Sequence, residues 1–135
     1  MLIYRYIINE LNVKIEVSNG EIIDKLTILM IKLEKIKDEE KLKNVKKEYE
    51  IVAEAAKSII SFDDPLVTEL YNVNSKLWDI ENNIRDLERR KDFSEDFINT
   101  ARSVYLTNDR RAELKRRINI ETSSGIIEEK LYKKY

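Results

Sequence analysis

The sequence predicts an all-α protein: an antiparallel bundle of three or four long helices with a short N-terminal β-strand or hairpin. Only 2 glycines and 1 proline occur in 135 residues, so turns are few and long helices are favoured over many short strands. Charged residues make up 38% of the chain and hydrophobic residues 42%, a mixture typical of helical bundles and short coiled coils. Residues 66–87 place apolar side chains alternately four and three positions apart, along one seam of a helix. That seam contains Leu66, Leu70, Val73, Leu77, Ile80, Ile84 and Leu87.

The N-terminal segment has the composition of β-structure. Residues 13–17 alternate apolar and charged side chains, which predicts a strand. Residues 2–8 (LIYRYII) are rich in β-branched and aromatic side chains and can pair with that strand as a hairpin. Because a lone hairpin is barely stable in water, we expect it to lie on the helices or to pair with another copy.

The first helix is predicted to start beside Ser18, which forms a capping box with Glu21. Ile28 and Ile31 fall on the side opposite its main apolar seam, because each residue turns about 100° around the helix axis. A helix that is apolar on two faces needs cover on both, from the hairpin, the C-terminal tail or a second subunit. We therefore predict a homodimer or higher oligomer. The seam itself contains Ile22, Leu26, Leu29, Leu33 and Ile36.

The remaining boundaries follow from local signals. The charged run 37–41 contains no helix breaker, so residues 19–60 form either one long helix or two. Asp64 suits an N-cap and Pro65 the first position of a central helix that ends near residue 90. Ser94 suits the N-cap of a final helix that ends near residue 120. We predict a single helical domain over 1–135, with an extension (1–17), a bundle (18–120) and a tail (121–135).

Composition excludes several kinds of chemistry. The chain has no cysteine and no histidine, so disulfides, thiol or imidazole catalysis and Cys/His zinc sites are impossible. An all-oxygen Mg²⁺ or Ca²⁺ site is still open in principle, but no carboxylate cluster marks one, and we predict no metal and no cofactor. A net charge of -1 gives no overall attraction to nucleic acid. No apolar run reaches the ~18 residues of a membrane span and no signal peptide is evident, so we expect a cytoplasmic protein that does not bind membranes.

Polar residues at or beside the inward seams of three helices are the candidate ligand-binding residues. Cations, amides and one aromatic ring would suit an anionic or sugar-like molecule. The same side chains can instead satisfy one another in a closed structural network, which is the interpretation the sequence favours. The candidate residues are Asp24, Lys25, Asn74, Trp78, Asn108, Asp109 and Arg111. A basic cluster on the last helix is either a solvated face that compensates the helix dipole or an anion site. It contains Arg110, Arg111, Lys115, Arg116 and Arg117.

Four segments, in order along residues 13–132, carry a resemblance to a known family. They are VSNGEIIDKLTILMIKLEKI, NVNSKLWDIENNIRDLERRKDF, ARSVYLTNDRRAELKRRIN and IIEEKLY. They resemble a small family of helical proteins of unknown function from bacteria and some phages. The resemblance implies a helical fold and a genomic context, beside genes for surface-polysaccharide glycosyltransferases. It implies no particular activity.

Two functions are compatible with these observations. The first is a non-enzymatic accessory or assembly protein, homodimeric and open to a further protein partner, associated with surface-glycan biosynthesis by the family's context alone. The second is a small all-helical enzyme or binding protein that acts on an anionic or sugar-nucleotide-like small molecule. Nucleic-acid binding through the basic cluster is disfavoured by the neutral overall charge.

Overall fold

The computed structural model describes residues 12–135, and these fold into four α-helices. The helices are α1 (Asn19–Lys35), α2 (Glu39–Ala56), α3 (Pro65–Arg89) and α4 (Glu95–Glu121). The all-α class is therefore confirmed for this part of the chain. The strand predicted over 13–17 is not present: residues 12–17 are exposed and form neither helix nor strand there. The other half of the predicted hairpin, residues 2–8, lies outside the described residues.

Local capping explains where three of the helices begin, whereas Ser94 stands at the predicted N-cap position of α4 but its side chain makes no capping hydrogen bond. The Ser18 hydroxyl accepts a hydrogen bond from the backbone N–H of Glu21 at 3.1 Å, as the capping box predicts. Asp38 caps α2 in the same way, by accepting from the N–H of Lys41 at 2.9 Å. This new cap, preceded by an extended Ile36, divides residues 19–60 into two helices. Asp64 caps α3 by accepting from the N–H of Leu66.

Helix α1 lies at the centre of the molecule and contacts each of the other three helices. Helices α3 and α4 form an antiparallel pair. A hydrogen bond from Arg110 to Glu69 joins them towards one end, and one from Asn83 to Thr100 joins them towards the other. On the second apolar face of α1, Ile31 is buried and Ile28 is half-buried within the single chain. Burial of Ile31 therefore does not require another subunit, and the oligomeric state stays a prediction.

The main core joins the first half of α1 to the start of α3 and the end of α4. Leu66, Leu70, Leu77 and Leu87 of the predicted seam are buried, whereas its other members are half-buried. The core cluster contains Ile23, Leu26, Ala56, Leu66, Val67, Leu70, Leu114 and Ile118. Among the described residues, no helix combines the length and apolarity needed to cross a membrane.

Gly20 sets how closely α1 approaches α4. A Cβ atom at this position would lie 2.4 Å from the backbone oxygen of Lys115, which is closer than any side chain permits. The Gly20 N–H also donates to Oδ1 of Asn119 at 2.6 Å. Glycine is therefore required for this contact, and the contact brings the first turns of α1 against the polar face of α4.

Beyond α4, residues 122–135 form neither helix nor strand and return along α4. Glu129 pairs with Arg116 at 2.9 Å, and the hydroxyl of Tyr135 donates to Asp109 at 2.6 Å. The predicted tail is thus fixed to the bundle at several points.

Candidate functional site

A buried carboxylate connects three helices. Asp24 of α1 is 1% exposed, and its Oδ1 accepts from Nδ2 of Asn74 on α3 at 2.9 Å. Arg111 of α4 donates from Nε to Oδ1 at 2.9 Å and from Nη2 to Oδ2 at 2.5 Å. Two parallel bonds from one guanidinium give the pair a fixed geometry. Nδ2 of Asn74 also donates to the hydroxyl of Thr27 at 2.9 Å.

These four residues, the Asp24 cluster, are closed within the protein. In the described part of the chain, no buried side-chain nitrogen or oxygen is without a hydrogen-bond partner. The hydrogen bonds within the Asp24 cluster fix the orientation of its side chains. Because they already satisfy the buried carboxylate, it requires no bound ligand. The Asp24 cluster is therefore best understood as the support of a site rather than the site itself.

Lys115 lies one turn after Arg111 and extends the charge network towards the surface. Its Nζ is 2.7 Å from Glu21, 3.8 Å from Asp24 and 3.6 Å from Glu128 of the tail. The hydroxyl of Ser18 also donates to Glu128, at 3.4 Å. The start of α1, the end of α4 and the tail are thus held together by one cation and its surrounding carboxylates.

The ionisable groups here are strongly biased towards their charged forms. The hydrogen bond from Lys115 lowers the pKa of Glu21. Burial alone would lower the pKa of Lys115, but its hydrogen bond to Glu21 and the nearby carboxylates outweigh burial and raise it. The hydrogen bond to Asp24 raises the pKa of Arg111 further above its usual value. Both cations and Glu21 therefore remain charged at neutral pH.

A groove of about 1010 Å³ opens beside this network, between α4 and the tail. We call it the tail groove. Its floor is formed by one face of α4, and its other wall is formed by the last residues of the chain. The lining residues are Glu21, Val104, Tyr105, Asn108, Asp109, Arg111, Ala112, Lys115, Glu128, Lys130, Tyr132, Lys133 and Tyr135.

Two aromatic residues that line the tail groove contact each other. The rings of Tyr105 and Tyr135 meet edge to face, with centroids 5.2 Å apart. The hydrogen bond that the Tyr135 hydroxyl donates to Asp109 raises the pKa of that hydroxyl. The terminal residue is thus attached to α4 by a ring contact and by a hydrogen bond.

The sequence-predicted residues fall into three groups. Asp24, Asn74 and Arg111 meet in the Asp24 cluster, and Asn108 and Asp109 line the tail groove together with Arg111. Two residues lie in neither group. Lys25 is exposed on α1 and Trp78 is half-buried on α3.

Sequence reasoning missed Glu21 and the tail as parts of the site, and it named Lys115 only as a member of the basic cluster. The spacing of Asn108, Arg111 and Lys115 at three and four positions is a usable signal, because it places them on one helix face. The tail residues gave no such signal, since only the folded chain brings them beside α4.

The basic cluster of α4 is largely paired with carboxylates. Arg110 contacts Glu69 at 2.7 Å and Glu113 at 3.0 Å, and Arg117 lies 3.7 Å from Glu121. With Arg111, Lys115 and Arg116 bound to acids as described above, this cluster presents little unpaired positive charge. Among the described residues, no group of three or more Asp or Glu side chains could hold a metal ion.

Comparison with known proteins gives one match. The model of a family described as "Family of unknown function (DUF6165)" matches residues 13–135. No curated protein and no solved structure matches the chain. The match includes all four segments that carry the sequence resemblance, and it covers the four helices and the tail. The chain therefore belongs to DUF6165, a family of unknown function.

Proposed function

We propose that the protein is a non-enzymatic binding protein whose tail groove takes a small anionic molecule of the sugar-nucleotide type. The observation that carries this proposal is the combination of free cations and tyrosine rings in one groove. Lys130 and Lys133 line it, and neither lies within 4.0 Å of a carboxylate of the described residues. An ammonium group without a carboxylate partner is suited to a phosphate oxygen.

The rest of the lining fits the other parts of such a ligand. Tyr105, Tyr132 and Tyr135 offer flat apolar faces for a base or a sugar ring, and the hydroxyls of Tyr105 and Tyr132 can bond to its polar edge. Asn108 adds an amide that both donates and accepts. The volume of about 1010 Å³ is at the upper end of the range for small-molecule sites and leaves room for an elongated nucleotide sugar.

The electrostatics favour binding over proton transfer. A general acid or base works best with a pKa near the operating pH. Here the pKa of Glu21 is lowered, and the pKa values of Lys115 and Tyr135 are raised. These groups keep their charge states at neutral pH, so they are suited to hold a charged ligand and poorly suited to exchange protons with it.

The wider role that we propose is an accessory or assembly role in surface-glycan biosynthesis, in bacteria or their phages. Its support is the genomic context implied by the sequence resemblance. A nucleotide sugar is the donor substrate of glycosyltransferases, so a protein that binds one is chemically suited to accompany such enzymes.

The test is a thermal-shift and calorimetry panel on the full chain. The probes are uridine diphosphate glucose, thymidine diphosphate glucose, uridine diphosphate, inorganic phosphate and free glucose. We expect saturable stabilisation by the nucleotide sugars, weaker stabilisation by the diphosphate, and none by glucose, because binding to the folded state raises its stability.

Matched variants identify the groove. The double variant Lys130→Ala/Lys133→Ala should lose most of the ligand-induced rise in melting temperature. Its affinity for the nucleotide sugar should fall at least about tenfold, because two phosphate contacts are lost. Lys134→Ala is the control, because Lys134 is exposed, adjacent in sequence and not part of the lining. The proposal fails if no nucleotide sugar stabilises the protein, or if the control and the double variant lose binding equally.

A further inference from the structure

A second surface lies at the end of the bundle where α1 begins. Val13 and Ile15 are 86% and 78% exposed, and Val17 is also exposed. Residues 12–17 pair with no strand among the described residues. The backbone N–H and C=O groups of residues 12–17 form no backbone hydrogen bond with another described residue. A segment of this kind, with β-branched residues in strict alternation, is a template for pairing with another strand.

Two apolar residues of the tail lie near the start of α1, the helix that this segment precedes. The hydroxyl of Ser124 accepts from the backbone N–H of Asn19 at 3.0 Å, and Ser18 donates to Glu128 at 3.4 Å. The chain between these two contacts is therefore held at the start of α1, and its Ile126 and Ile127 are exposed there. The side chains of Val13, Ile15, Val17, Ile126 and Ile127 make up what we call the N-terminal apolar patch.

We propose that the N-terminal apolar patch binds a second copy of this chain, through antiparallel pairing of residues 13–17 about a two-fold axis at Ile15. In this register Val13 of each copy lies opposite Val17 of the other. Lys14 lies opposite Glu16 at both ends, so the pairing forms two cross-strand ion pairs. Residues directly opposite one another share a face, so all six apolar side chains of the paired strands lie together.

Other registers of the same pairing are disfavoured by charge or by pattern. If the axis lies at Lys14, the two Lys14 side chains face each other. If it lies at Glu16, the two Glu16 side chains face each other, so both registers bring like charges together. An axis between two residues mixes charged and apolar side chains on one face. Parallel in-register pairing brings like charges alongside one another. The sequence NVKIEV is thus complementary to itself in one antiparallel register, which is what identifies a second copy as the occupant.

Charge reversal tests this register directly. Lys14→Glu makes both charged positions acidic and Glu16→Lys makes both basic, so each variant alone should associate at least about tenfold more weakly, because like charges then face each other. The double variant Lys14→Glu/Glu16→Lys should regain association. An equimolar mixture of the two single variants should form a heterodimer, since every facing pair is then attractive.

The measurement is sedimentation equilibrium of the full chain from micromolar to near-millimolar concentration at low salt. Circular dichroism checks that each variant is folded, and Lys46→Glu, an exposed charge reversal on α2, is the control. The proposal is overturned if the unmodified chain is monomeric throughout, as expected if residues 2–8 of the same chain cover the strand instead. It is also overturned if the single variants associate like the unmodified chain. No residue of the N-terminal apolar patch lines the tail groove. Failure of the dimer proposal would therefore not affect the ligand proposal, which has a separate test.

Discussion

Replacing Arg111 by alanine tests the buried part of the site. The variant removes two hydrogen bonds from a carboxylate that is 1% exposed. Removing one partner of a buried ion pair costs about 3–5 kcal/mol, because the remaining charge is left without compensation. Here the Arg111 side chain is 30% exposed, and Asn74 still donates to Asp24. We therefore expect a somewhat smaller loss, about 2–4 kcal/mol.

Urea denaturation of the unmodified chain and the variant measures this loss. The control is Arg116→Ala, which breaks an exposed pair with Glu129 and should cost at most about 1 kcal/mol. Asp24→Asn supplies a second check, because Arg111→Ala should cost clearly less when Asp24 is already uncharged. If Arg111→Ala and Arg116→Ala cost the same small amount, the Asp24 cluster does not hold the helices together.

Three further predictions concern stability. Leu77→Ala should destabilise by about 2–4 kcal/mol in denaturant titration, as a buried leucine of α3; an unchanged midpoint would show that the seam is not packed. Gly20→Ala should destabilise by about 1–3 kcal/mol, because its Cβ would collide with the Lys115 backbone. Gly125→Ala, where no atom lies within 4 Å, is its control and should change stability little. Glu21, whose pKa is lowered by Lys115, adds stability above its unfolded pKa and loses it as the pH falls through the folded value. Glu21→Gln should therefore flatten the acid side of the stability profile, and an unaltered slope would contradict the pairing.

The parts of the fold that could be predicted from sequence are those fixed by local interactions. The Ser18 side chain caps α1 by bonding three residues along the chain, and the Asp64 side chain caps α3 by bonding two residues along. A short stretch of sequence therefore contains all the residues that each cap needs. The sequence does not decide whether the chain breaks before α2, because Asp38 lies in a charged run that suits an exposed helix as well as a cap. The predicted strand over 13–17 had the right alternation, but a strand also needs a partner, and none is present in the described residues.

The site was predictable only where helix periodicity points residues inward. Asp24, Asn74 and Arg111 lie beside the apolar seams of three helices. Because these seams pack together, the side chains of Asn74 and Arg111 both contact Asp24. Lys25 is one residue from Asp24, and a turn of about 100° leaves it in solvent. The tail groove depends on contacts such as Ser18 with Glu128, which are far apart in sequence. No local pattern reports such a contact.

The most direct test of the proposed function is an NMR titration of the full chain, labelled with ¹⁵N, with uridine diphosphate glucose and thymidine diphosphate glucose. We expect saturable chemical-shift changes in residues 130–135 and around Asn108, and we expect the Lys130→Ala/Lys133→Ala variant to lose them. Helix α2 packs on α1 and has no part in the groove lining, so its signals should stay in place. Changes confined to α2, or no saturable change with either nucleotide sugar, would contradict ligand binding in the tail groove.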